Sequence, residues 1–120
     1  LVDVNVLKQL IGSEKETIQE FLAEYLDSAR TLTRDILLAF KADDVRHISA
    51  IAHKLKSSSR SVGALALGDL CAGLENAGKE GNRGYIREHL QELEQVLTAI
   101  EIEIRELLTE QGWNNRNGII

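Results

Sequence analysis

The chain has no proline, no methionine and a single cysteine, and aromatic residues make up only 4% of its 120 residues. Without proline, nothing in the sequence forbids a helix anywhere. One cysteine, Cys71, cannot close an intramolecular disulfide or supply a cysteine-rich zinc site, and it fits a reducing compartment. No apolar run approaches the roughly 18 residues of a membrane span. The opening Leu1-Val2-Asp3 lacks the basic flank and apolar core of a signal peptide. A cytoplasmic domain, or the cytoplasmic end of a membrane-anchored protein, is expected. Absence of an initiator methionine suggests a domain excised from a longer polypeptide.

Acidic residues number 19 against 14 basic ones, a net charge of -5. That balance disfavours broad binding to nucleic acid or to anionic membrane. With 43% hydrophobic and 28% charged residues the composition is that of one soluble globular domain.

Strict two-residue alternation is not sustained, whereas apolar residues recur at three- and four-residue spacing. Ser13 and Glu16 form a capping-box pattern that predicts a helix start. Beyond it Ile18, Phe21, Leu22, Tyr25, Ala29, Leu32, Ile36, Leu37 and Phe40 trace one face of a long helix. Leu7, Leu10 and Ile11 suit a short helical lid ahead of it. Asp43 is placed to cap a second helix, with Ile48, Ile51, Ala52, Leu55, Ser59 and Val62 as its stripe, broken at Gly63. A third carries Ala64, Leu67, Leu70, Cys71 and Leu74, and its pattern dissolves at Gly78, Gly81 and Gly84, with Asn82 as a cap for the last. The final helix runs from about Tyr85 to Leu108. The sequence therefore predicts an all-α fold: an antiparallel four-helix bundle with a short N-terminal lid helix, monomeric, over residues 1–110, followed by a tail over 111–120. Gly68 and Gly73 inside the third helix each cost about 1 kcal/mol against alanine, a cost that close approach of a neighbouring helix can offset.

Three histidines are present. On the wheel of the second helix, with Ile48 at zero, His53 falls at about 140°, on the exposed side with Arg46, Ser57 and Arg60, while His47 lies at about 260° on the flank. His89 borders the apolar face of the last helix and suits packing. Between Arg46 and Arg60 stand four cations, Arg46, Lys54, Lys56 and Arg60, and no acid, so this strip carries +4 and the rest of a chain of net -5 carries -9. A neutral imidazole is a competent nucleophile at physiological pH. A phosphoryl group taken up on it would be stabilised by neighbouring cations, Lys56 first, because it stands three residues on. Ser57 keeps the same surface low enough for another protein to approach.

Other chemistry is poorly served. An exposed histidine among lysines, taken alone, reads as a solvated helix face. His47 and His53 are about 240° apart around the helix, so no zinc site is expected. Cys71 falls on an apolar face and reads as core filler. Glu75 and Glu80 lack a spacing suited to general acid and base work, and no glycine-rich phosphate loop opens a helix.

The stretch Ala52-His53-Lys54-Leu55-Lys56-Ser57-Ser58-Ser59, followed by Val62-Gly63-Ala64, Leu67, Leu70-Cys71 and Leu74-Glu75, closely resembles the signature of histidine phosphotransfer (HPt) domains, of the type found at the C-terminus of hybrid sensor histidine kinases. The ordered match spans about 24 residues, and flanking helices extend the resemblance over residues 3–108. It implies a phosphocarrier that moves a phosphoryl group between response-regulator receiver domains, with His53 as phosphoacceptor and Lys56 as the basic neighbour. It implies no kinase activity of its own and no cofactor on this domain, with magnesium held by the partner receiver. Leu55, Gly63, Leu67, Leu74 and Glu75 match structural positions of the motif. Ser57 stands where the family usually has glycine, which puts partner choice or rate in question. Ser57, Arg60, Lys54 and Arg46 are the candidate docking surface. Two rival readings are a non-catalytic helical interaction module and a dimerising segment of a histidine kinase. The second is disfavoured because this chain has enough helices to close a bundle alone.

Overall fold

The computed structural model describes residues 1–116, and among them every element is helical: α1 (Val4–Ile11), α2 (Lys15–Lys41), α3 (Val45–Ser61), α4 (Leu65–Glu80), α5 (Arg83–Leu107) and α6 (Glu110–Arg116). Helices α2 to α5 close a ring in which each packs against the next and α5 returns to α2. That is the up-down-up-down bundle expected from four one-faced amphipathic helices. At 27 residues α2 is about 40 Å long, and it sets the length of the molecule, 49 × 22 × 18 Å.

The three turns of the bundle are built alike. After α2, Asp44 N donates to Ala39 O at 2.8 Å and Asp43 N to Phe40 O at 3.1 Å. After α3, Ala64 N donates to Ser59 O at 2.8 Å and Gly63 N to Arg60 O at 3.1 Å. After α4, Asn82 N donates to Ala77 O at 2.8 Å and Gly81 N to Gly78 O at 3.3 Å. These are Schellman closures, each hinged on a residue with positive φ: Asp43 at 61°, Gly63 at 72° and Gly81 at 68°. Asp43 is therefore the left-handed hinge and not the cap of α3, as its sequence position suggested. Asp44 takes the N-cap position, with no side-chain capping bond. Arg83 pairs with Asp43 across the same end of the bundle and stacks 4.5 Å over the Phe40 ring.

Gly63 carries a second constraint. A Cβ there would meet Asp3, whose backbone N lies 2.7 Å away. Asp3 N donates to Val62 O at 2.9 Å, and the Asp3 carboxylate caps Asn5 N. Thus α1 is a lid seated on the α3–α4 turn, and the buried Leu7 is its plug.

Four further sequence readings need correction. The Ser13 and Glu16 capping box is not formed: Glu14 is the N-cap of α2, with no side-chain capping bond. Helix α4 does not dissolve at Gly78 but continues to Glu80, because Gly78 brings two backbones together. A Cβ at Gly78 would sit 2.8 Å from Ser49 N on α3. The last long helix starts at Arg83, two residues before the expected start, and Asn82 caps it as expected, its Oδ1 accepting from Tyr85 N at 3.1 Å. Finally, residues 111–116 of the expected tail belong to α6, whose first turn is closed by Gly112 N donating to Thr109 Oγ1 at 3.0 Å and whose Trp113 is buried. The rest of that tail, 117–120, lies outside the described residues.

All helices share one core, from Leu7 through Ile18, Leu22, Ile48, Leu55, Leu67, Leu74, Leu93 and Ile104 to Trp113. Beneath α3 it holds a polar pair, Tyr25 Oη and Ser59 Oγ at 2.9 Å. Burial pushes the Tyr25 hydroxyl up to about 12, against the smaller opposing effect of the Ser59 bond, so this contact is a neutral hydrogen bond fixing α2 to α3.

Candidate functional site

Helices α3 and α4 are the most closely packed pair of the bundle, and Gly78 against the backbone of Ser49 sets how near they come. Their antiparallel register brings His53 and Glu75, which stand nearly equidistant from Gly63, to the same level. His53 has 58% of its side chain exposed, whereas Glu75 has 10%. The imidazole therefore projects from the surface with a carboxylate under it.

His53 Nδ1 lies 3.0 Å from Glu75 Oε2, and Lys56 Nζ donates to Glu75 Oε1 at 2.6 Å. Lys79, one turn further along α4, places its Nζ 3.5 Å from Glu75 Oε2. The Lys56 hydrogen bond, helped by the weaker one from His53, holds the Glu75 carboxyl down at about 2 in spite of its burial. An ionised carboxylate only accepts, so Nδ1 carries a proton, and in the neutral imidazole Nε2 then keeps its lone pair on the ring edge away from Glu75. The arrangement is a nucleophilic nitrogen whose tautomer is set from below. Lys56, which meets the same carboxylate, is tucked against the surface with 20% of its side chain exposed.

Of the expected docking residues, Ser57 is exposed one turn from His53, and its carbonyl accepts from Ser61 Oγ at 3.1 Å. Arg60 lays its stem over Gly68, which explains the glycine there, and its Nη2 is 3.7 Å from Asp69 Oδ1. Arg46 and Lys54 are exposed on α3. Thus His53 and Lys56 are brought together through Glu75, while Arg60 is engaged with an acid of α4.

Cys71 is buried in the core, and burial pushes its thiol up to about 12, with Arg60 and Lys56 opposing weakly, which suits inert filler. His89 is half-buried, stacked 4.0 Å from the Tyr85 ring, with Nδ1 donating to Tyr85 O at 2.7 Å. Among the described residues no group of three or more histidine, cysteine or acidic side chains could hold a metal, and no helix is long and apolar enough to cross a membrane.

The family model of the Hpt domain matches residues 20–109. The chain belongs to the Hpt domain family. The Hpt match covers α3, α4, α5 and most of α2. A solved structure, histidine-containing phosphotransfer protein B from Pseudomonas aeruginosa, superposes with a TM-score of 0.81, covering 88% of this chain and 91% of that one at 21% identity, and shares the fold. The multistep phosphorelay regulator 1 of Schizosaccharomyces pombe is 29% identical in an alignment of 87 residues that covers 69% of this chain. This Hpt domain spans only 30% of that relative's length.

Glu75 is the member of the site that sequence reasoning placed among structural positions. A signal for it existed. It follows Cys71 by one helical turn, on the edge of the apolar face of α4, where a carboxylate has to find a partner.

Proposed function

We propose that this Hpt domain is a phosphocarrier of a multistep phosphorelay, accepting a phosphoryl group on His53 Nε2 from the aspartate of one receiver domain and passing it to another. The observation that carries this reading is the exposed imidazole whose Nδ1 is held by a buried, ionised carboxylate. In the accepting step the Nε2 lone pair forms the N–P bond while the acyl P–O bond breaks, and the electron pair leaves with the receiver's aspartate. Nδ1 keeps its proton, so the ring becomes cationic, and Glu75 stabilises that charge. Lys56 offsets the charge of the phosphoryl oxygens. Donation to a second receiver is the same step reversed, and the small Ser57 leaves room for either partner. Magnesium belongs on the receiver in this scheme. The domain works as a monomer in the cytoplasm and does not engage nucleic acid.

The test is incubation with a receiver domain carrying labelled aspartyl phosphate. Acid-labile, base-stable label is expected on the wild type and not on His53→Gln. Label retained by the variant overturns the assignment, as does no label on either protein across a panel of receivers.

A further inference from the structure

Lys79 has no part in the scheme above, yet it lies 3.5 Å from the carboxylate on which that scheme depends. In the resting domain Glu75 is the meeting point of three groups: Lys56 at 2.6 Å, the His53 ring at 3.0 Å and Lys79. The two ammonium groups differ in situation. Lys56 is largely covered and holds the shorter contact, whereas Lys79 is 64% exposed and one turn away on Glu75's own helix.

Phosphorylation changes the demand on each group. The phosphoryl oxygens appear beyond Nε2, on the side of the ring away from Glu75, and call for a cation. The ring, now positive at Nδ1, holds Glu75 more tightly. Lys56 is the only one of the two lysines on the helix of His53, three residues on, so it is the one positioned to turn outward. If it did so alone, a largely buried carboxylate would lose its nearest ammonium and keep only the ring's charge beside it, and weakening the pairing of a buried charge is costly. An ammonium waiting just outside hydrogen-bond distance removes that cost.

We propose that Lys79 is a reserve counter-ion that closes on Glu75 when Lys56 shifts from the carboxylate to the phosphoryl group, so that Lys79 is a positioning residue for phosphohistidine formation. The proposal rests on the phosphocarrier reading. In the resting state one carboxylate lies between two ammonium groups and the His53 ring. In the phosphorylated state each anionic group keeps one lysine, and the cationic ring bridges the two.

The experiment is equilibrium partition of label between a receiver aspartate and the wild-type domain, Lys79→Gln and Lys79→Arg, with the thermal midpoint of each unphosphorylated domain measured alongside. Lys79→Gln is expected to lower the share held as phosphohistidine by about three- to tenfold, the size of a weakened partly buried ion pair. Lys79→Arg is expected to restore it, and the unphosphorylated midpoints should agree, because Lys79 is an exposed side chain. A wild-type partition in Lys79→Gln overturns the proposal and leaves the phosphocarrier reading standing. So does a loss that arginine fails to rescue. Absence of label on wild-type His53 overturns both.

Discussion

Among the described residues two side-chain carboxylates are buried, and they do different things. Glu75 lies under the middle of the α3–α4 surface with His53, Lys56 and Lys79 around it. Glu103 lies at the lid end, where it accepts from Val2 N at 3.0 Å and pairs with Arg116 at 3.6 Å. Both are buried residues. Burial of a carboxylate is therefore not what marks a site. Glu103 ties the chain before α1 to α5 and α6, and its partners have no other chemistry to perform. Glu75 faces an exposed imidazole and leaves that ring with one nitrogen free to react. A useful buried charge is one that sets the state of a group that solvent and partners can reach.

That contrast can be broken by substitution. The largest expected effect is that of His53→Gln, which removes the acceptor atom and should abolish uptake of label while leaving the thermal midpoint within a degree or two, because the side chain is 58% exposed. Next is Ser57→Gln, which puts a long side chain one turn from the imidazole. It should slow transfer more than about tenfold, whereas Ser57→Gly should stay within about threefold of the wild type, as measured by single-turnover transfer from a phosphorylated receiver.

Glu75→Gln keeps an acceptor for Nδ1 but loses the charge that anchors Lys56 and stabilises the cationic ring. Transfer should fall by about three- to tenfold. The same variant carries a pH signature. The Glu75 carboxyl is held at about 2 in the folded domain against an ordinary 4.5. Its contribution to stability is complete above 4.5 and is lost as pH falls toward 2. Urea midpoints at pH 7 and pH 3 should therefore differ less in Glu75→Gln than in the wild type. The smallest effect on transfer is expected of Glu103→Gln, whose rates should match the wild type although stability drops by about 1–3 kcal/mol. If transfer fell in Glu103→Gln as in Glu75→Gln, the distinction between the two carboxylates would fail.

The long helices were legible because α2 and α5 repeat one apolar face over many turns, and His53 was legible because its wheel position is set by its own helix. Features that depend on a second helix were not. Gly78 reads as a breaker along the chain, yet it serves a close approach that exists only once α3 lies against α4. Glu75 reads as one acid among many until the antiparallel register sets it beneath His53. Helix α6 went unseen because one buried residue, Trp113, anchors it, and a single anchor makes no period. Asp43 and Ser13 were both credited as caps from residue type alone, and the backbone used Asp43 as a left-handed hinge and passed over Ser13.

The central claim, that Glu75 holds the proton on Nδ1 and so commits Nε2 to phosphate, is tested most directly by long-range proton–nitrogen NMR of the imidazole before and after phosphorylation. The account predicts an Nδ1–H tautomer of His53 in the resting domain and phosphorus coupled to Nε2 afterwards, with the resting preference weakened in Glu75→Gln. Phosphorus coupled to Nδ1, or a resting Nε2–H tautomer, would contradict it.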